Sequence, residues 1–210
     1  ILSVITYYKK KLINFAQHEN LIDAVCQKYG INTPLRKAHF LAQIDHESNG
    51  LTKLTENLNY TVEALLKLFP KRITSTQANL YGRKVGQKAN QEKIANIIYG
   101  GNFGFKNLGN KEFGDGWKYR GRAALMCTGK ANYYKYSLAT GEDFVTYPEL
   151  ILQKPYYLDF AGFFWTSKNI NRHADNDDLK SVTQAINGGL IGIDHRTKLL
   201  NFYKRKYGII

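Results

Sequence analysis

Two glutamates have the residue type and the spacing that acid/base chemistry requires. Glu47 stands just before Asn49 and Gly50, where a helix is predicted to end, and Glu56 follows nine positions later. A helix C-terminus carries partial negative charge, so a partly buried carboxyl there stays protonated to higher pH, as a general acid must. If the turn at Gly50 folds Glu56 back towards Glu47, the two form the carboxyl pair used in glycoside hydrolysis. Taken alone, the same residues also fit two surface acids.

The helix that carries Glu47 is the best-defined element of the sequence. Thr33 is a typical N-cap, Pro34 suits the first helical position, and apolar residues recur on one face up to Asn49 and Gly50. Apolar periodicity predicts further helices over 8–29, 61–69, 87–99, 130–140, 155–168, 176–186 and 194–207. The predicted fold class is therefore mainly α.

One segment, 100–121, differs in character from these helices. It holds seven glycines, with aromatic and basic residues such as Trp117 and Tyr119 between them. Long loops of this kind commonly carry function, which predicts a mobile part of a binding-site wall. A solvated insertion is the alternative, and a phosphate-binding loop lacks the required spacing and preceding strand.

Composition narrows the function classes through charge. The 210 residues include 30 Lys and Arg against 17 Asp and Glu, a formal net charge of +13, while 43% are hydrophobic. These values exclude a disordered or fibrous chain. They predict a polyanionic partner, which composition leaves open between nucleic acid, anionic lipid and an acidic cell wall.

The remaining composition bears on redox state, metals and location. The two cysteines, Cys26 and Cys127, predict buried free thiols and no disulfide framework. His39 and His46 lie too far apart along a helix for a metal pair, so no metal and no cofactor are expected. No apolar run is long enough to span a membrane, and the opening segment lacks a signal-peptide pattern. We therefore expect the protein to accumulate in the cytoplasm of the cell that produces it.

Five blocks of sequence, in this order, resemble glycoside hydrolase family 19. They are 41–48 and 56–60 around the two glutamates, 114–122 with Trp117, 128–133 with Thr128, and 185–189 with Asn187. The resemblance extends over roughly 35–203, and the block close behind Glu47 is most similar to the bacteriophage endolysin branch. It implies a lysozyme-like fold of two helical lobes with a deep substrate cleft, and an inverting mechanism.

The resemblance also implies roles for individual residues. Glu47 would be the general acid, Glu56 the general base, and the Thr128 hydroxyl would help position the attacking water. Met126 stands where the family usually has a sugar-binding Gln, and a thioether cannot donate a hydrogen bond. The implied substrate-binding residues are Tyr60, Trp117, Tyr119, Asn132, Asn187 and Arg196.

Together these features predict a peptidoglycan-degrading endolysin that hydrolyses the β-1,4 bonds between N-acetylmuramic acid and N-acetylglucosamine. We expect one catalytic domain over 1–210, with a smaller lobe around 60–100, no separate wall-binding domain and a monomeric state. Peptidoglycan is the expected partner and nucleic acid is not. The endolysin resemblance also implies that the protein leaves the cytoplasm of the producing bacterial cell and reaches the wall through a separate pore. The basic segment from Arg196 to Lys206 is predicted to be an amphipathic core helix; the alternative is that it contacts anionic wall polymer or, transiently, an anionic membrane.

Two alternatives remain from the sequence. The first is a chitinase acting on N-acetylglucosamine polymers. The second is a non-enzymatic basic module that binds cell wall or nucleic acid, although no nucleic-acid-binding motif is present.

Overall fold

A computed structural model describes residues 15–210, and helices account for most of them. In chain order they are α1 (Glu19–Lys28), α2 (Pro34–Ser48), α3 (Val62–Leu68), α4 (Ser75–Tyr81), α5 (Gln91–Ile98), α6 (Gly101–Phe103), α7 (Asp115–Lys118), α8 (Lys130–Thr140), α9 (Tyr156–Ser167), α10 (Asn171–Asp175), α11 (Leu179–Asn187) and α12 (Ile193–Lys206). The described residues form isolated β-bridges but no strand. The prediction of a mainly α fold is confirmed. Of the helix predicted over 8–29, residues 8–14 lie outside the described residues.

Helix α2 forms for the local reasons that the sequence indicates. The Thr33 hydroxyl accepts a hydrogen bond from the Arg36 backbone N–H (3.2 Å), and Pro34 occupies the first helical position. Asn49 ends the helix in the left-handed conformation, with φ of 48°. Most of the helix is buried, and Glu47 lies in its last turn. The cap and the stop therefore fix the position of this side chain along the helix.

The chain divides into two compact units. Of the described residues, the first takes in 15–54, together with Ala123–Leu125 and Ile151–Ile210. Helix α12 packs along α2 in this unit, and α9 packs against α1. Trp165 on α9 is fully buried and meets Phe40 of α2 edge to face, with ring centroids 5.3 Å apart. The pairing of α12 with α2 is what brings side chains to Glu47.

The second unit consists of Thr55–Arg122 and Met126–Leu150. Its core is an apolar cluster on α3, α4 and α5 that includes Leu58, Leu65, Ile94 and Ile98, all fully buried. Helix α4 was not predicted from the sequence. Its signal is a capping box, in which the Thr74 side chain accepts from the Gln77 backbone and the Gln77 side chain accepts from the Thr74 backbone.

The segment 100–121 is partly helical, contrary to the prediction of a loop. It contains α6, a π-helical turn at Gly104–Leu108 and α7. Gly109 and Gly114 adopt positive φ values of 70° and 95°, and they separate these short elements. The glycines thus separate short helical turns, and the segment is not one long irregular loop.

The two cysteines are buried and free, as predicted. Burial raises the pKa of Cys26 to about 12 and raises the pKa of Cys127 as well. A thiol that stays protonated is a poor nucleophile, so both cysteines act as packing residues. Among residues 15–210, no helix combines the length and apolarity needed to cross a membrane.

Candidate active site

Glu47 is held by a buried arginine. Arg196 of α12 is 1% exposed, and its Nη2 donates to Glu47 Oε1 while its Nη1 donates to Gln43 Oε1. Gln43 and Glu47 are one turn apart on α2, so one guanidinium spans both. The Glu47 side chain keeps 21% of its surface exposed. The carboxyl is thus fixed in direction yet open to solvent, as a proton donor to a substrate requires.

A hydrogen-bonded pair of histidines also joins α2 to α12, beside Glu47 and Arg196. His46 and His195 precede Glu47 and Arg196 in the sequence, and their Nδ1 atoms lie 2.8 Å apart, so one ring donates and the other accepts. Gly192, with φ of 75°, lies against the His46 ring, and a Cβ there would stand 2.3 Å from His46 Cε1. Glycine at this position lets the start of α12 approach the end of α2.

Glu56 in the second unit is anchored at both carboxylate oxygens. Its Oε1 accepts from the Gly121 backbone N–H, and its Oε2 accepts from the Tyr99 hydroxyl at 2.6 Å. The Glu56 backbone N–H in turn donates to the Gly121 carbonyl at 2.9 Å. These bonds define one orientation for a half-buried carboxylate. A carboxylate fixed in this way can accept a proton from water, which is the role of a general base.

Gly121 allows Glu56 and Thr128 to meet at one backbone position. A Cβ on Gly121 would stand 3.1 Å from Thr128 Oγ1 and 3.3 Å from both Cβ and Cδ of Glu56. Both predicted residues therefore flank the same glycine. A larger residue would displace Glu56 or Thr128. Glycine is therefore required here because these side chains approach the backbone closely, and not because the chain turns.

The loop that carries Thr128 is fixed by its neighbours. Thr128 Oγ1 donates to the Met126 carbonyl (3.0 Å), and Asn132 Nδ2 donates to the Thr128 carbonyl (2.8 Å). Asn132, predicted to bind substrate, thus holds the Thr128 backbone from the first turn of α8. The Thr128 hydroxyl retains acceptor capacity that a water molecule could use.

The charge of Glu56 affects the pKa values of two tyrosines. Burial, with the charge of Glu56, raises the pKa of Tyr99 and that of Tyr60. Both hydroxyls therefore remain protonated donors at neutral pH. Tyr60 is half-buried and its ring meets Phe69 edge to face at 5.5 Å. The structure thus places Tyr60, a predicted substrate-binding residue, within electrostatic reach of Glu56.

Tyr119 lies in a different environment from the one predicted. Its ring is 1% exposed, and its hydroxyl donates to the Val145 carbonyl at 2.9 Å. A ring without an exposed face cannot stack on a sugar. The structure therefore gives Tyr119 a packing role, and the substrate-stacking role predicted for it has no surface to act through.

Trp117 is half-buried and packs on the apolar core of the second unit. Its backbone N–H donates to Asn96 Oδ1 (2.8 Å), which ties α7 to α5. The Arg120 guanidinium lies over the indole, with Cζ 3.8 Å from the ring centroid. These contacts make Trp117 an anchor of α7.

Trp117→Ala should lower the stability of the protein measurably. Because the ring is half-buried, we expect a loss of about 2–3 kcal/mol, below the ~3–5 kcal/mol typical of a core Trp or Phe. For a chain of this length that corresponds to a fall in Tm of about 5–10 °C, measured by circular dichroism. Phe113→Ala is the matched control, since the Phe113 ring is 90% exposed. Equal Tm values for the two variants would contradict the anchoring role.

Asn187 and Arg196 were predicted at the far wall of the site, and both lie in the first unit. Asn187 ends α11 and is exposed, with its Oδ1 accepting from the Gly189 N–H at 2.8 Å and its Nδ2 donating to the Ile191 carbonyl at 3.3 Å. It shapes the turn before α12. Arg196 is brought to Glu47 and is buried rather than on an open wall.

Gln43 and Tyr99 are neighbours of the two candidate glutamates that were not predicted from the sequence. Gln43 precedes Glu47 by one helical turn, a spacing that could have indicated a shared partner. Tyr99 is 43 residues from Glu56, and nothing in its local sequence distinguishes it from the other tyrosines. In the part of the chain that the structure describes, no cluster of His, Cys, Asp and Glu could hold a metal ion.

Comparison with known proteins assigns the family. No family model matches the chain. A curated relative from Haemophilus influenzae, a glycosyl hydrolase family 19 domain-containing protein, is 36% identical over 182 residues, covering 85% of this chain and 83% of the relative. The chain belongs to glycosyl hydrolase family 19. It is therefore a glycoside hydrolase, and the alternative of a non-enzymatic binding module is set aside.

Solved structures agree on the fold. Chitinase C from Streptomyces griseus HUT6037 matches 90% of this chain and 69% of its own, with a TM-score of 0.55 and 18% identity. A bacterial family 19 chitinase matches 90% of this chain and 85% of its own, with a TM-score of 0.55 and 16% identity. The mainly α, lysozyme-like fold predicted from the sequence is thus confirmed.

Proposed function

We propose that this glycoside hydrolase is an endolysin that cleaves the β-1,4 bonds between N-acetylmuramic acid and N-acetylglucosamine in peptidoglycan. The observation that carries the choice of substrate is the net charge of +13. Peptidoglycan is an anionic polymer, and long-range attraction raises the rate at which a cationic enzyme captures it. Chitin is uncharged, so the same charge gives no advantage on it.

In the proposed reaction Glu47 gives a proton to the glycosidic oxygen as the bond to the sugar breaks. The hydrogen bond from Arg196 fixes Oε1, so proton transfer to the substrate would use Oε2. Glu56 takes a proton from the attacking water, whose oxygen bonds to the anomeric carbon on the opposite face. The product then has inverted configuration.

The contacts of Glu56 support its role as base. Both carboxylate oxygens already accept hydrogen bonds, from Tyr99 and from the Gly121 N–H, so the side chain does not have to reorient during the reaction. The Thr128 hydroxyl lies against the same glycine and would accept a hydrogen bond from the water. No cofactor enters this scheme, and we propose that a monomer carries it out.

Chitin hydrolysis is the second candidate function. It is favoured by the fold, because solved structures that resemble this chain include two chitinases. The acid/base chemistry would be the same on either polymer. The two candidates differ in whether charge and peptide side chains contribute to recognition.

A comparison of two substrates tests the proposal. Purified Gram-negative sacculi should be solubilised faster than colloidal chitin, and the advantage should shrink as NaCl rises from about 0.05 to about 0.5 M, because the Debye length falls from about 10 Å at 0.1 M to about 3 Å at 1 M. The loss should appear as a higher KM with little change in kcat. Equal rates on both polymers would favour the chitinase, and salt-independent lysis would contradict the role given to the net charge.

A further inference from the structure

A basic groove with an aromatic face lies on the second unit. It consists of two adjoining cavities of about 320 Å³ and 380 Å³ that share Lys71, Arg72 and Phe103, and we refer to them as the Arg72 groove. The turn after α3 supplies one side and α6 with the following π-helical turn supplies the other. No Asp or Glu lines either cavity, whereas three cationic side chains do, since Lys106 joins Lys71 and Arg72.

The Arg72 guanidinium is held in a defined plane. Its Cζ lies 3.4 Å from the centroid of the Phe103 ring and 5.8 Å from that of Phe69. Its Nη1 lies 3.4 Å from the Ile98 carbonyl oxygen, to which it donates. Stacking on Phe103 fixes the plane of the guanidinium, and the N–H groups along its edge can still donate hydrogen bonds to a ligand. A guanidinium preorganised in this way is suited to bidentate binding of a carboxylate or phosphate.

The surrounding sequence strengthens the positive potential. Residues 61–110 contain eight Lys or Arg against two Glu. Lys71 and Lys106 are exposed at the groove, as are the Asn102 and Asn107 amides that line it. The groove therefore offers the fixed guanidinium of Arg72, the two flexible ammonium groups of the lysines, and neutral side chains that can form hydrogen bonds. This is the chemistry of a site for an anionic group on a polar chain.

The groove is connected to the proposed base through Tyr99. Gly100 and Gly101 line it directly after Tyr99, the residue whose hydroxyl donates to Glu56. Burial and the charge of Glu56 raise the pKa of Tyr99, and the charge of Arg72 acts against them. A chain bound in the groove would thus lie near the Glu56 side of the second unit.

We propose that the Arg72 groove binds a carboxylate of the peptide side chains of peptidoglycan and so determines preference for peptide-bearing glycan over chitin. This inference rests on the proposed function. Chitin offers only neutral hydroxyl and acetamido groups, which cannot form a bidentate ion pair with Arg72. Peptide side chains carry free carboxylates at short intervals along the glycan.

Binding to chemically modified sacculi tests the proposal. Co-sedimentation is measured with native Gram-negative sacculi and with sacculi whose carboxylates have been converted to neutral amides, using a Glu47→Gln background to limit digestion. Arg72→Gln should weaken binding to native sacculi about tenfold, the effect of losing a hydrogen-bonded charged partner. It should change binding to amidated sacculi less than twofold. Lys88→Gln, which removes one exposed charge outside the groove, is the matched control and should have less than a twofold effect on both.

The outcomes separate this inference from the proposed function. Failure of the wild-type enzyme to digest native sacculi would overturn the proposed function. If the wild-type enzyme digests native sacculi but the Arg72→Gln and Lys88→Gln proteins bind them equally well, only the proposed role of the Arg72 groove would be overturned. Equal loss on native and amidated sacculi would overturn the carboxylate assignment. If Arg72→Gln lowers the Tm, a double variant takes its place, in which the exposed residues Lys71 and Lys106 are both changed to Gln. We expect this double variant to lose binding to native sacculi and to keep its binding to amidated sacculi.

Discussion

Glu47→Gln should reduce the rate of sacculus lysis by about 10²–10⁴-fold, the usual contribution of a general acid. The amide has the shape of the carboxyl but has no acidic proton to give to the leaving oxygen. Its oxygen can still accept the hydrogen bond from Arg196, so the local geometry is kept. Initial rates of turbidity loss on permeabilised Gram-negative cells measure the effect.

Stability must be measured beside activity for this variant. Arg196 loses its countercharge in a buried position, for which we expect a cost of about 1–3 kcal/mol. Assays at 25 °C with circular dichroism of the same samples show whether the protein is folded. Glu19→Gln removes an exposed carboxylate of the same unit and should retain full activity. Lysis by the Glu47→Gln protein within a few-fold of wild type would remove Glu47 from the mechanism.

Glu56→Gln should also lower lysis severely, by about 10²–10³-fold, because an amide cannot accept the proton of the attacking water. The loss should be somewhat smaller than for Glu47→Gln, since Thr128 would still hold the water. The fold should be retained for a specific reason. The glutamine oxygen can accept from the Gly121 N–H, and its amino group can donate to the Tyr99 hydroxyl, which is able to accept.

A control in the same unit makes the result interpretable. Glu92 is exposed on α5, so Glu92→Gln removes the same charge without touching the site and should leave lysis within twofold. The Tm of the two variants should agree within a few degrees. Near-normal lysis by the Glu56→Gln protein would mean that the base lies elsewhere on the chain.

Local signals in the sequence were sufficient to predict the helix that carries Glu47. The cap at Thr33, the proline at position 34 and the stop at Asn49 all act within a few residues of one another. Helix α8, predicted over 130–140, also has the bounds that the structure shows, although Gly129 gives it no side-chain cap; Gly141 ends it in the left-handed conformation, with φ of 82°. Helix α4 shows the opposite case, because its capping box at Thr74 and Gln77 was present but its short apolar pattern was weak.

The partners of the two glutamates could not be predicted in this way. Arg196 is 149 residues from Glu47, and Tyr99 is 43 residues from Glu56. Their contacts depend on how α12 packs on α2 and how the second unit folds on itself. The family resemblance named Arg196 as a substrate-binding residue and left its ion pair with Glu47 undetected. The burial of Tyr119 likewise depends on tertiary packing that its aromatic character alone does not reveal.

The most direct test of the account is the chemistry of the ends that the enzyme creates. Purified sacculi are digested, the products are reduced with borohydride, and the reduced sugars are identified by mass spectrometry. The account predicts new reducing ends at N-acetylmuramic acid, with one water added for each bond cut. Products that keep an intact glycan, ends at N-acetylglucosamine, or release of fragments from chitin alone would contradict it.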